Sequence, residues 1–294
     1  MNLFVRRAAP RNLYDVVSEG SSAVVIREYS SSFGLASRLL AEPVRTQVRN
    51  IYALVRVADE IVDNPDPALG PGPRERMLTW LHDDVRHAPE TGYSGNLVVH
   101  AFARTAVAVG IEDDVVAPFF ASMRMDLHTT THDAESFQRY VYGSAEVVGL
   151  MCLRAFLAAP DGPADRSAAY DALAPGARRL GAAFQKLNFL RDLAEDHEIL
   201  HRCYFPALDP VLICDADRDR ILDDIDANLA AAGAVVPELP ASSRRAVAAA
   251  HATFAELSSR LRETPAQEIR RARVRVPRTV KLRIAAGAIT GGRS

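Results

Sequence analysis

Asn50-Ile-Tyr-Ala-Leu-Val-Arg-Val-Ala-Asp-Glu-Ile-Val-Asp63 carries an apolar stripe and a charged stripe that touch one another. At about 100° per residue, Val48, Ile51, Val55 and Val62 share one face of a helix expected from Val44 to Asp63. Tyr52, Arg56, Asp59 and Asp63 fall within roughly 60° of each other in the adjoining sector. A solvated charged face normally lies opposite the apolar one. Here the carboxylates abut it, so the helix is expected to carry them inward, where ionised carboxylates need cations or donors beside them. The pattern recurs between Gly181 and Ile199, read as a second helix with Gln185, Asn188, Asp192 and Asp196 on one face, Gly181 in line with them and Glu195 at their flank. Arg191 precedes Glu195 by four residues, the spacing of an intrahelical ion pair.

A lone Asp-x-x-x-Asp is most simply a solvated acidic face. Two copies, each with amide or guanidinium neighbours beside an apolar seam, fit the binding of a diphosphate through Mg²⁺. That ion prefers oxygen ligands, keeps several waters, and is commonly held by one or two carboxylates plus substrate phosphates. Metal ions and arginines can then stabilise the leaving charge as a carbon–oxygen bond breaks.

Outward from these segments the chain reads as helices throughout. Gly/Pro clusters at Asn64 to Pro73, Ala159 to Pro163, Pro206 to Pro210 and Pro237 to Pro240 mark interhelical loops. Period-two alternation is confined to Arg273-Val-Arg-Val276, and no repeat or long linker is visible. The expectation is an all-α chain forming one domain over residues 1–294. The 294 residues include 35 Lys+Arg against 37 Asp+Glu, a net charge of −2 that argues against a general nucleic-acid binder. Hydrophobic residues at 48% exclude the disordered class, and three dispersed cysteines do not make a disulfide framework. No signal-like start is visible, and apolar runs such as Val115 to Met123 are too short to span a bilayer. A cytoplasmic location is expected, with room for transient contact with a membrane surface. His197-Glu-Ile-Leu-His201 matches a zinc-protease string but lacks a third ligand, and its histidines are read as helix-end or loop residues.

The two aspartate segments resemble the paired motifs of the phytoene/squalene synthase family. Ser30-Ser-Ser-Phe33, Ser122-Met-Arg-Met-Asp-Leu127, Tyr140-Val-Tyr-Gly-Ser-Ala145 with Gly149, and Arg273-Val-Arg-Val-Pro277 follow in the family's order, so the likeness covers about residues 20–285. It implies the single-domain isoprenoid synthase fold, helices around a central cavity, and head-to-head joining of two isoprenyl diphosphates. Bacterial phytoene synthases are the nearest kind. The resemblance assigns Mg²⁺, with Mn²⁺ as substitute, to Asp59, Asp63, Asn188, Asp192 and Asp196. It assigns diphosphate contacts or support of the metal shell to Ser30, Ser32, Tyr52, Arg56, Gln185, Asn188, Arg191 and Arg273, with Tyr140 near the reacting carbons. NADPH is not indicated, since no Gly-x-Gly-x-x-Gly loop follows a strand. Small residues at Gly143, Ala145 and Gly149 are read either as room for isoprenoid tails or as close helix packing.

Departures from the family pattern are Ser31 where some relatives have lysine, Phe254 where some have tyrosine, and a segment from His197 to Pro206 about one residue longer. They bear on donor length and acceptor. The readings left open are C20 donors giving phytoene, C15 donors giving squalene or dehydrosqualene, transfer of one prenyl group to an aromatic acceptor, and a non-catalytic helical partner. The oligomeric state is not legible.

Overall fold

The computed structural model describes residues 11–30, 32–64, 66 and 69–290, the side chains of Ser32, Phe33 and Thr290 excepted. Helix α1 (Leu13–Tyr29) starts at a capping box between Asn12 and Asp15. It is followed by α2 (Ser32–Ser37), α3 (Val44–Val62) and α4 (Pro71–Thr91), whose prolines at 71 and 73 occupy the first turn, where no amide donor is needed. Gly92 (φ 76°) and Gly110 (φ 81°) take left-handed conformations that end α4 and α5 (Leu97–Val109). Then come α6 (Asp113–Met125), α7 (Ala134–Val141), a π-helical turn (Tyr142–Glu146) and α8 (Val147–Leu157). The second half holds α9 (Arg166–Arg191), α10 (Leu193–Glu198), α11 (Asp215–Val235), a 3₁₀ turn (Val236–Glu238), α12 (Ala241–Glu263), α13 (Ala266–Ile269) and α14 (Arg278–Thr290). Among the described residues there is no strand. The Arg273–Val276 alternation is a non-helical connector rather than a sheet element.

Among the described residues four apolar clusters result, two of them large. Ile51, Leu54, Leu78, Phe102, Phe119, Phe120 and Met151 bind α3, α4, α5, α6 and α8 together. Leu187, Leu190, Ile213, Leu222, Ile225, Leu261 and Ile269 bind α9, α11, α12 and α13. Each fully buried side chain of this size contributes about 1.5–3 kcal/mol. The run Ala134–Leu157 is long and apolar enough by composition to cross a membrane, yet it packs against α6 and α9 and 61% of its 18-residue apolar stretch is buried.

The π turn meets α9 and α6 at glycines. A methyl on Gly181 would lie 2.4 Å from the Ala145 carbonyl oxygen, and one on Gly143 would lie 2.2 Å from that of Pro118. Both distances are too short for any side chain, so at Gly143 the close-packing reading holds.

Helix α1 buries Ile26 near its end but mainly polar residues before it. Leu13, Val16, Val17 and Val24 are exposed, whereas Asp15, Ser18 and Ser22 are buried. The cause is a polar tie to α5: Asp15 Oδ1 sits 2.8 Å from His100 Nε2 and 3.3 Å from the Arg104 guanidinium. Removing one member of a buried pair strands the other. Asp15→Ala is expected to cost about 3 kcal/mol in chemical denaturation. A change below about 0.5 kcal/mol, the scale of an ordinary surface substitution, would mean the pair is not what holds α1 in place.

Candidate active site

The helices enclose a cavity of about 570 Å³, walled by residues of all four clusters. Helix α9 lines it with Leu173, Gly176, Ala177, Leu180, Gly181, Phe184, Gln185 and Asn188, and its cap Asp192 continues that line. Those steps of three and four keep one helical face on the cavity over roughly 28 Å, at 1.5 Å rise per residue. Val48, Val55, Asp59 and Asp63 of the α3 segment line the opposite wall. Both walls change character in the same direction. They are apolar towards Val48 and Leu173 and polar towards Asp63 and Asp192, which cap the C-terminal ends of α3 and α9. The negative ends of two helix dipoles therefore add to the carboxylates.

The two motifs lie within each other's field. Burial, then the charge of Asp63, pushes Asp59 up to about 8. Burial, then Asp192 and Asp63, pushes Asp196 up to about 8. Asp59 is half-buried by accessible surface, because it faces the cavity, yet protein surrounds it on its other sides. Among the described residues no salt bridge reaches Asp59 or Asp196, whereas Asp63 and Asp192 are both clamped by arginines. Arg273 places Nε 2.8 Å from Asp192 Oδ1 and donates from Nη2 to Oδ2 at 3.1 Å. Arg191 holds the same carboxylate at 2.8 and 2.5 Å.

This corrects two expectations. Arg191 does not pair with Glu195 four residues on; Glu195 lies 3.7 Å from Arg273. The second acidic helix is also not continuous, since Asp192 (φ −100°, ψ 11°) separates α9 from α10. The amides of Asp192 and Asp196 still donate to the carbonyls of Asn188 and Asp192, at 2.8 and 2.9 Å, so the chain bends without losing those bonds. His197 lies in the last turn of α10, while His201 lies beyond it with φ 55°, so the two imidazoles are not stacked one helical turn apart as a zinc-protease pair requires.

The other expected residues gather at the same end. Ser30, Tyr52, Arg56, Gln185, Asn188 and Tyr140 all line the cavity. Ser30 Oγ accepts a bond from the Gly34 amide at 3.3 Å. Arg56 pairs with Glu60 and lies 4.5 Å from the Tyr29 ring centroid, leaving its buried Nε without a partner. Ser31 and the Ser32 side chain fall outside the described residues. Tyr140 is 3% exposed and donates to Asp126 Oδ2 at 2.7 Å. Its ring neighbours Tyr204 and Phe189, with centroids 5.2 and 5.9 Å away. Phe254, the missing hydroxyl, stacks on Phe184 at 3.7 Å and makes that wall apolar.

Three site residues had no role assigned from sequence: Asp126, Arg202 and Tyr204. Burial, opposed by Arg202 and the Tyr140 hydroxyl, holds Asp126 up at about 7. Arg202 and Tyr204 come from the loop after α10, which has no helical period to expose them. The available signal was Arg-x-Tyr just before Pro206.

Among the described residues no three His, Cys, Asp or Glu side chains form a ready-made metal cage. A cation here would rest on individual carboxylates, of which Asp59 and Asp196 lack a paired arginine, together with phosphate oxygens. That donor set suits Mg²⁺ or Mn²⁺.

The Squalene/phytoene synthase family model matches residues 26–212. The chain is 31% identical over 186 residues to a 15-cis-phytoene synthase of Enterobacter agglomerans, covering 60% of this chain and 58% of that one. It is 27% identical over 178 residues to a 4,4'-diapophytoene synthase of Staphylococcus haemolyticus, covering 59% and 57%. The chain thus spans less than two thirds of these curated relatives. A crystal structure of a dehydrosqualene synthase with ligand superposes with a TM-score of 0.79 at 18% identity, covering 95% of this chain and 98% of that one, which establishes the shared all-α fold. With the family match extending over both aspartate motifs, the chain belongs to the squalene/phytoene synthase family.

Proposed function

We propose that the chain is a Mg²⁺-dependent prenyltransferase that joins two C20 allylic diphosphates head to head to give phytoene. The observation that carries this reading is the polarity of the cavity, with charge concentrated at one end and an apolar trough running from it along α9. The diphosphate heads sit at the charged end, and the tails lie along Leu180, Val55, Phe184 and Phe254. Bound Mg²⁺ would neutralise diphosphate and make it a better leaving group, held by Asp59, Asp63, Asn188, Asp192 and Asp196.

The chain's own residues do the rest. Arg56, Arg191 and Arg273 are placed to meet diphosphate oxygens, Arg191 and Arg273 by exchanging Asp192 for phosphate. Departure of diphosphate with the C–O electron pair leaves an allylic cation, which the double bond of the second donor attacks. Loss of a proton closes a cyclopropane. A second ionisation, rearrangement and proton loss yield the hydrocarbon, two diphosphates and two protons. The Tyr140, Phe189 and Tyr204 rings can stabilise passing cations, and the apolar walls exclude the water that would quench them.

Farnesyl donors on the same site would give dehydrosqualene, or squalene where a nicotinamide hydride donor reduces the last cation in place of the final proton loss. Purified protein incubated with Mg²⁺ and C10, C15 or C20 donors separates these outcomes. The C20 donor is expected to couple fastest; diphosphate release that yields a coupled product only with an added aromatic acceptor would overturn the reading.

The raised carboxyls predict a linkage. A group pushed from near 3.9 to about 8 on folding contributes stability that is full below the unfolded value and is lost as pH rises through about 8. The metal-free protein should therefore lose stability between pH 5 and 8 from these groups, and Mg²⁺ should restore it. The Mg²⁺-induced rise in melting temperature is expected to be larger at pH 8 than at pH 6. Equal shifts would contradict binding at Asp59 and Asp196.

A further inference from the structure

We propose that Arg202 is a positioning residue that fixes the separation of the two acidic motifs, a role that rests on the function proposed above. Its guanidinium is almost completely buried. Nη1 donates to Asp63 Oδ1 at 2.6 Å and to the Tyr204 hydroxyl at 3.2 Å. Nη2 donates to the carbonyls of Val62 and Asp126 at 3.1 and 3.0 Å. The Arg202 main chain holds the other motif, its N–H donating to the Asp196 carbonyl at 2.9 Å. One residue thus grips the first motif by side chain and the second by backbone.

The loop that presents it is shaped for the task. His201 (φ 55°) and Ala207 (φ 56°) are non-glycine residues in the left-handed region on either side of the segment, a conformation that persists only when surroundings enforce it. The Cys203 amide donates to the Thr130 carbonyl at 2.8 Å, pinning the loop to the strand-like segment before α7. A planar fork is required, because a single ammonium cannot bond Asp63, Tyr204 and two carbonyls in these directions at once. Holding Asp63 by one oxygen leaves the other for a cation, at a distance from Asp196 that the loop determines.

A plain structural role, neutralising buried Asp126, predicts something different. The full chain is compared as Arg202→Met, Arg202→Lys, Asp126→Asn and the double variant Arg202→Met/Asp126→Asn, which carries no stranded buried carboxylate at 126. Calorimetry measures Mg²⁺ binding with inorganic pyrophosphate, circular dichroism measures folding, and kinetics separate kcat from KM. The double variant is expected to fold with wild-type helix content yet bind Mg²⁺–pyrophosphate at least tenfold more weakly than Asp126→Asn alone. Its kcat should fall more than its KM for prenyl diphosphate rises, and Arg202→Lys should recover folding but not affinity. Equal affinity in the double variant and Asp126→Asn would overturn the proposal, as would full recovery of folding and affinity together in Arg202→Lys. Wild-type protein that binds Mg²⁺–pyrophosphate but couples no allylic diphosphate would sink the proposed function instead, leaving the Arg202 comparison readable.

Discussion

Asp59→Asn should lower turnover of allylic diphosphates by about 10³-fold, the scale of losing one electrostatic contact to a developing charge, while the melting temperature of the metal-free protein above about pH 8 rises. The opposite signs have one cause. Burial, then the charge of Asp63, disfavours the Asp59 carboxylate and pushes its pKa up to about 8, so above that pH its ionised form burdens the metal-free fold. An amide of the same shape removes that repulsion, so the fold gains. It also removes a ligand for the cation that would accompany diphosphate, so catalysis loses. Steady-state kinetics and a thermal melt of the same preparation check both halves. Unchanged turnover would refute the metal assignment. Lost activity with a lowered melting temperature would mark Asp59 as a structural partner.

Ala246→Phe should cut kcat/KM for a C20 donor more than about 100-fold, because several carbons lose their place and each misfitted methylene is worth roughly 1–3 kcal/mol. Ala246 lines the cavity and packs with Leu40, Val44 and Val48. Val48 precedes Asp59 on α3 by roughly 16 Å of helix rise. A phenyl group there shortens the trough without touching the charged end, so a C10 donor should still release diphosphate at a near wild-type rate. Equal losses for C10 and C20 donors, with a normal melt, would show that the tails do not run towards α12.

The acidic faces were legible because a helix converts spacing into direction. Once Asp59 and Asp63 abut Val48, Ile51 and Val55, a helix that buries one set must carry the other inward. The same logic placed Gln185, Asn188 and Asp192 on the cavity wall. It failed at the bend at Asp192, because φ and ψ of a single residue leave no periodic trace. It also failed for Arg191, which turns to the adjacent Asp192, while Glu195 faces Arg273 from a distant connector. Arg202, Tyr204 and Asp126 were out of reach for a related reason. Two lie in an irregular loop and the third caps α6, so their convergence is a property of tertiary packing. Gly143 shows the limit of reading small residues, since room for a ligand and room for a neighbouring backbone look identical in sequence.

The central claim is head-to-head coupling at a single charged end of one cavity. It is tested most directly by giving the purified protein Mg²⁺ and a C20 allylic diphosphate as sole organic substrate, then measuring hydrocarbon and released diphosphate together. A C40 hydrocarbon with two diphosphates released per molecule is the predicted result. A C20 alcohol with one diphosphate released per molecule, and no C40 product, would contradict it.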